Sequence, residues 1–271
     1  MTKKEDRGNL RGKFPRISFH KEILMKMLTL NIDLYEDKHG TWQERKDLIC
    51  GVVRKERPDV LALQAVRKNS RKKGSRSQVE DLAKELKEYR DILFQGVMEH
   101  EDGVDGQAFL SKLPIRKTDF YPLMRHSGNE GNDDKRFLYY AAFDTETGPF
   151  HIYNCHFSHE GARNEASIRE VLEFIAPANE PAVLTGDFNA TPDQAAFRVF
   201  EEAGWLDLWP KLKGSEPGYT FEADHPSLRV DYVWANPLAV QRAIEMHLVS
   251  AQSPDTKVRL SAHLGISALF S

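Results

Sequence analysis

Cysteine is scarce: Cys50 and Cys155 are the only two in 271 residues, and both sit inside apolar runs. That excludes a disulfide scaffold and reads as two reduced, buried thiols. Long hydrophobic runs are missing, since no apolar stretch reaches the roughly 20 residues that a bilayer span needs. The start, MTKKEDRGNLRGKFPRISFHKE, is charged with no apolar core behind it. A secretory signal is therefore not expected, and a cytoplasmic location is. Neither sign of charge dominates: 38 Lys and Arg against 41 Asp and Glu leave a net charge of −3. Proteins that coat nucleic acid electrostatically are far more basic, although a local basic patch still admits nucleic acid as a substrate. The 17 Gly and 13 Pro are scattered without period, which excludes collagen-like and low-complexity architectures.

The remaining composition, 40% hydrophobic and 29% charged, is that of a globular protein long enough to bury a sizeable core. Residues 1–20 read as a loosely held basic arm, broken by Gly8, Gly12 and Pro15, and residues 21–271 as one folded domain. Met25–Ile32 reads as a strand. Thr41 and Ser77 each open a capping box, with Glu44 and Glu80 at the third helical position, so a helix should follow each. Pro58 stops the first helix, and Val60–Val66 is a short apolar run suited to a buried strand. Further strands are expected at Asp91–Gln95, Gln107–Ser111, Phe137–Thr145 and Phe150–Phe157, the last two joined as a hairpin through Glu146, Thr147 and Gly148. A helix is expected at Arg163–Ala176 and a strand at Pro181–Phe188. Thr191 and Pro192 read as a helix start with Gly204 as its end, and strands at Val230–Trp234, Val240–Leu248 and Gly265–Phe270 close the chain. Strands and helices interleave, yet hairpins are frequent. The fold class is therefore α/β: two mixed sheets packed face to face, with helices outside.

Chemistry concentrates at strand ends. The strand Ala182–Thr185 delivers Asp187 and Asn189 two residues apart, which alternation places on one face, with Gly186 permitting a close approach. An acceptor beside a donor suits a water to be deprotonated next to an oxyanion, though Asp and Asn are also common at strand-to-helix junctions. Asn154-Cys-His156-Phe-Ser-His159 ends another strand. Asp231 lies inside the apolar strand of Arg229-Val-Asp-Tyr-Val-Trp234 and needs a partner. His263, in Ser261-Ala-His-Leu-Gly-Ile, is the natural one, as a carboxylate fixes the tautomer and charge of an imidazole. Asn31 ends the first strand.

Taken in order, the blocks LTLNI, PDVLALQAV, GQAFLSKLPI, NCHFSH, TGDFNATPD, RVDYVW and LSAHLGI resemble the endonuclease/exonuclease/phosphatase superfamily, the deoxyribonuclease-I-like fold, from about Met25 to Phe270. LTLNID followed by ERxxLI and PDVLALQ also resembles the branch holding tyrosyl-DNA phosphodiesterase 2. The resemblance implies a four-layer sandwich with its site at one end of the sheets. It also implies metal-dependent hydrolysis of a phosphodiester, with Mg²⁺ or Mn²⁺. By motif, Asp187 would orient or deprotonate the attacking water and Asn189 would hold a phosphoryl oxygen. His156 would donate to the phosphate or leaving oxygen. His263, braced by Asp231, would bind the scissile phosphate or exchange its proton. Asn31 would sit at the metal edge, with Asp33 beside it either a further metal ligand or simply a loop-capping Asp.

Two positions depart from the pattern. Ala65 stands where the family has Glu (LQEV), and Ala262 where it has Asp (SDH). Both missing carboxylates belong to the metal site, and a hard divalent cation needs oxygen ligands. Three readings remain: both alanines are introduced changes, one is native and one introduced, or the chain is a natural pseudoenzyme. Intact GDFN, RVDY and His156 favour at least one introduced alanine, with Ala262 foremost. Asp33 and Gln64 are oxygen-bearing neighbours that could stand in near Ala65. Arg67 and Lys68 open a basic run to Arg76 that either overhangs the site or is a solvated loop; with Asn154 they are candidate substrate ligands. The Gly/Asn-rich run 126–135 is a candidate lid. With no apolar anchor for a lipid surface, nucleic acid is the first expected partner, with no obligate protein partner evident. A small phosphorylated molecule or lipid head group is second, and a non-catalytic phosphate-binding module third.

Overall fold

The computed structural model describes residues 24–69, 76–123, 135–175, 179–253 and 257–271. The basic arm at 1–20, most of the run 70–76 and most of the candidate lid at 126–135 lie outside the described residues.

The first sheet is assembled from β1 (Met25–Asn31), β2 (Val60–Lys68), β3 (Asp91–His100), β4 (Gly103–Ser111), β11 (Ala243–Val249) and β12 (Gly265–Phe270), in the order β11-β12-β1-β2-β4-β3. The second contains β5 (Ile115–Leu123), β6 (Arg136–Thr145), β7 (Gly148–His156), β8 (Ala182–Asp187), β9 (Leu206–Asp207) and β10 (Asp231–Ala235), in the order β5-β6-β7-β8-β10-β9. Both are mixed: β1–β2 and β7–β8 run parallel and the other pairs antiparallel. Between the sheets lies an apolar layer that includes Met27, Val60, Phe109, Phe143, Phe150, Val183, Ile266 and Phe270. Outside the first sheet pack α1 (Trp42–Glu56) and α2 (Gln78–Glu85), through Ile49, Val53, Val79 and Leu82. Outside the second pack α3 (Gly161–Val171) and α4 (Arg198–Glu202), through Ile168, Val171 and Phe200. Four layers result, as expected.

Local signals place the helices well. Both capping boxes form, at Thr41 and Ser77, and Arg57 ends α1 in the left-handed conformation just before Pro58. Two expectations are corrected, and two elements had no sequence reading. Thr191 and Pro192 form a turn, in which Gln194 N–H donates to the Thr191 carbonyl, and helix begins only with a 3-10 turn at Ala195–Phe197 leading into α4. Val240–Arg242 is the end of α6 (Pro237–Arg242), not strand, because Asn236 caps Ala239 N–H and Pro237 pre-sets the first turn. β5 and α5 (Leu208–Lys213) had no clear pattern: β5 is a largely exposed edge strand, and α5 is a single short turn capped by Asp207.

The topology gathers the strand ends. β1 and β2 end where β12 begins, and β7 and β8 end where β10 begins. The two sets meet at one end of the sandwich.

Candidate functional site

Register sets up the second-sheet half of the site. His156, Asp187 and Asp231 are directly opposite one another across β7, β8 and β10, so they share a face. Gly186 makes this possible: a Cβ there would fall 2.0 Å from the Cys155 carbonyl oxygen, at a φ of +132°. From the first sheet Asn31 reaches across, its Nδ2 donating to Asp187 Oδ2 at 2.9 Å. His263 stands in the segment entering β12, with Nδ1 2.9 Å from Asp231 Oδ2 and Nε2 3.7 Å from Asp187 Oδ2. His156 Nε2 lies 3.4 Å from that same oxygen. Asp187, Asp231 and His263 are all buried.

Asn189 does not follow the expected alternation. β8 ends at Asp187, and Asn189 is left-handed at φ 47°. Its backbone N–H returns to Asp187 Oδ1 at 2.9 Å, and its side-chain amide donates to the Phe157 carbonyl at 2.9 Å. It still lines the cleft, with one amide hydrogen left to offer.

The two imidazoles are held in different charge states. Burial pushes His263 down, but the carboxylates of Asp231 and Asp187, the Asp231 hydrogen bond and Asp33 outweigh it and raise its pKa to about 9. His156 is pushed to about 3 by burial and by the Arg136 cation, only partly offset by Asp187. At neutral pH an imidazolium and a neutral imidazole therefore flank one carboxylate, the separation of roles that acid–base sites use.

Asp33 lies on the cleft at φ 59°, followed by Leu34 at φ 47°, and Ala65 facing them is also left-handed at φ 49°. Burial raises the Asp33 pKa against the pull of Arg45, His263 and His39, while the Ala262 backbone N–H donates to its carboxylate. Arg45, which the sequence reading overlooked, supports this loop. It is fully buried, and its guanidinium donates to the carbonyls of Ile32 (2.6 Å), Leu34 (2.6 Å), Gly40 (3.2 Å) and Leu260 (3.4 Å). Asn164 was overlooked as well. Its amide ties the Ser158 and Phe188 carbonyls together behind the two histidine- and aspartate-bearing loops, at 2.8 and 2.6 Å.

Four candidate ligands are reassigned. Asn154 is fully buried between the sheets: its Oδ1 accepts from Gln64 Nε2 at 2.7 Å and its Nδ2 donates to the Leu63 carbonyl at 3.0 Å. It shares its strand face with His156 but sits one pleat deeper, out of reach of substrate. Gln64 is occupied by the same tie and faces the inter-sheet layer by alternation with Val60 and Ala62, while the bulge between Leu63 and Val66 turns Ala65 to the cleft. Arg67 is bound to Asp105, Nε to Oδ1 at 2.7 Å, and neither it nor Lys68 lines the cleft. Lys135 and Arg136 bring positive charge there instead.

Ligand atoms of Asp187, Asp231 and His263 lie within 4.8 Å of one another, a spacing that could hold a cation. Their chemistry does not fit a resident Mg²⁺. His263 is held as a cation by Asp231, and Asp187 Oδ2 already accepts from Asn31. Of the other oxygen donors on the cleft, Asn31 Oδ1 accepts from Asp33 N–H, the Asp33 carboxylate accepts from the Ala262 backbone N–H, and Ala65 ends in a methyl group. With Ala65 and Ala262 offering no carboxylate, an ion held near Asn31 and Asp33 would have to take most of its six oxygens from water and substrate.

Two adjoining clefts share Asn189, Phe221 and His263. One, of about 380 Å³, opens over Asn31, Asp33, Ala65, His156 and Asp187 toward β4. The other, of about 390 Å³, runs over Thr191, Gln194, Leu228 and Val230.

A family model described as the Endonuclease/Exonuclease/phosphatase family matches residues 28–263. No curated protein sequence matches the chain significantly. Solved structures share the fold. The endonuclease/exonuclease/phosphatase from Bacteroides vulgatus aligns with a TM-score of 0.74 at 22% identity, over 92% of this chain and 99% of that one. A mannosyl-6-phosphatase from Bacteroides thetaiotaomicron aligns at 0.70 and 19%, over 91% and 100%. D. rerio TDP2 complexed with single strand DNA product aligns at 0.71 and 17%, over 92% and 99%.

Proposed function

The chain belongs to the endonuclease/exonuclease/phosphatase family, and from that premise we propose that it is built to bind and hydrolyse a phosphodiester, with nucleic acid as the favoured substrate. One observation carries this reading beyond the family's phosphoesterase chemistry: His263 and Asn189 stand on the common wall of two clefts. A phosphorus atom held there has room for a substituent on either side, which a diester uses and a monoester does not. The exposed Leu228 and the ring of Phe221 line the second cleft and offer an apolar face of the kind bases stack on. A phosphorylated sugar or lipid head group is the second reading, favoured by the fold shared with a mannosyl-6-phosphatase. Among the described residues no helix is long and apolar enough to cross a membrane, and a cytoplasmic setting is proposed with it.

The residues divide the work. The His263 imidazolium offers Nε2–H to a phosphoryl oxygen, with Asp231 holding its charge and orientation. Asp187, fixed by Asn31 and by Asn189 N–H, orients the attacking water and accepts its proton. His156, neutral and hydrogen-bonding, steadies the phosphate, and the cations Lys135 and Arg136 balance charge along the cleft. In the family a divalent ion polarises the phosphoryl group. Here Ala65 and Ala262 replace two of its carboxylates, so the chain as it stands is expected to bind substrate and turn it over slowly.

Hydrolysis of bis(p-nitrophenyl) phosphate and of DNA and RNA oligonucleotides, with and without Mg²⁺ or Mn²⁺, tests this. Ala262→Asp is expected to raise metal-dependent cleavage at least about 100-fold, since one anionic metal ligand is worth several kcal/mol to the transition state. Ala65→Glu alone should give less, and the double change the most. Rapid turnover by the unmodified chain would remove the inactivation. No cleavage of any phosphoester by the double variant would leave a phosphate-binding module.

A further inference from the structure

The lobe of the first cleft that runs along β4 holds chemistry that hydrolysis does not use. Asp105 and Gln107 alternate with Gly106 on β4 and so share the face that lines this lobe. A bulge between Gly96 and Met98 sets Met98 directly opposite Asp105, and Phe137 approaches from the second sheet. The wall is rigid: a Cβ on Gly106 would lie 1.8 Å from the Gln95 carbonyl oxygen, so β3 and β4 touch backbone to backbone.

Its polar groups are acceptors. Gln107 is 2% exposed and donates Nε2–H to the Phe137 carbonyl at 3.0 Å, which fixes its amide. Its Oε1 is buried with no hydrogen-bond partner among the described residues. An unpaired buried acceptor is a cost that a ligand donor would relieve. Asp105, 3% exposed, takes Arg67 Nε on Oδ1 at 2.7 Å and His100 Nε2 on Oδ2 at 2.8 Å. Each oxygen retains a second lone pair. Lys135 and Arg136 line the same cleft as these acceptors and His156, suited to the phosphate.

We propose that this lobe is a specificity subsite for a ring bearing adjacent N–H or O–H donors, attached to the phosphate held at His263. Gln107 Oε1 and the Asp105 carboxylate receive the donors, while Met98 and Phe137 pack on the ring. The proposal rests on the phosphoester reading above and names what that site selects. Two sources supply such donors: the Watson–Crick edge of guanine, which pairs N1–H with the 2-amino group, and the vicinal hydroxyls of a sugar phosphate.

Calorimetric titration of the full chain, without divalent ions, with GMP, AMP, mannose 6-phosphate and inorganic phosphate reads this directly. GMP or mannose 6-phosphate is expected to bind about tenfold more tightly than inorganic phosphate, since two added hydrogen bonds contribute that order. A preference for GMP over AMP identifies a base, because the adenine edge offers one donor beside an acceptor; a preference for mannose 6-phosphate identifies a sugar. Gln107→Leu should bring the preferred ligand to within about twofold of inorganic phosphate. Equal affinity for all four probes, or an unchanged preference in the variant, overturns the subsite while the phosphoester reading stands. Absence of binding by every probe, phosphate included, overturns both. If Gln107→Leu does not fold, the preference of the unmodified chain decides.

Discussion

His156 and His263 lie 3.4 and 3.7 Å from the same oxygen of Asp187, yet burial and neighbouring charge send them in opposite directions. The difference has a sign that pH can read. The folded pKa of His263 is raised, so its contribution to stability is complete below the unfolded imidazole value of about 6.5 and is lost as pH rises through about 9. His156 works in the opposite window. Its folded pKa is depressed, so the unfolded chain takes up a proton first and stability falls as pH drops from about 6.5 toward 3. The thermal midpoint is therefore expected to decline above neutrality through His263, and Asp231→Asn should flatten that decline. Losing the raised protonation should cost roughly 2–3 kcal/mol near pH 7. Calorimetry across pH 6 to 10 and NMR titration of the His263 ring check both; an unchanged His263 pKa in the variant would refute the pairing's electrostatic role.

At the level of elements, the strain is concentrated in the connections. Asp33, Leu34, Ala65 and Asn189 are all left-handed without being glycine, and all of them line the cleft. Such conformations persist where the surroundings over-determine them, and Arg45 on α1 does this for the loop after β1, through the carbonyls of Ile32, Leu34, Gly40 and Leu260. Arg45→Ala would strand several carbonyls at once and should cost about 3 kcal/mol or more in urea unfolding. Arg45→Lys should recover only part, because an ammonium cannot fork to carbonyls on separate strands. By contrast, Ser77→Ala removes one side-chain cap of α2 at a residue that lines neither cleft, and should cost about 1 kcal/mol with little effect on ligand binding. Equal losses in the Arg45 and Ser77 variants would show that the arginine is an ordinary helix residue.

Across the whole molecule, two sheets must stay in register for their strand ends to meet. Apolar packing between them is not directional, and the Gln64–Asn154 bond (2.7 Å, both residues fully buried) supplies a direction a pleat below His156. Gln64→Ala leaves the buried Asn154 Oδ1 without its donor and should cost about 2 kcal/mol or more, Asn154→Ala removes one of three acceptors of Gln64 Nε2 and should cost less, and the double variant should cost less than their sum. A double-mutant cycle with a coupling below about 0.5 kcal/mol would show the two amides to be independent.

Much of this protein is written locally. The capping boxes at Thr41 and Ser77, the apolar run of β2 and the Asp231–His263 pair follow from residue chemistry, because a cap, a buried strand and an uncompensated carboxylate each state their own requirement. The fold class followed from interleaved strands, helices and a hairpin. What sequence could not decide was direction. Asn154 and His156 share a face of β7, but only the packing of the first sheet against it buries one and leaves the other on the cleft. Arg67 is basic and adjacent to the site, but only the register of β2 on β4 sets Asp105 opposite it. Gln64 and Ala65 are adjacent; alternation faces Gln64 inward, but only the bulge turns Ala65 to the cleft. Arg45 looks like any solvated helix cation until the loops after β1 and before β12 close over it. Local chemistry depends on neighbours a few residues away and is legible along the chain. The facing of a side chain depends on pleat, bulge and the second sheet, and these exist only once distant strands have met.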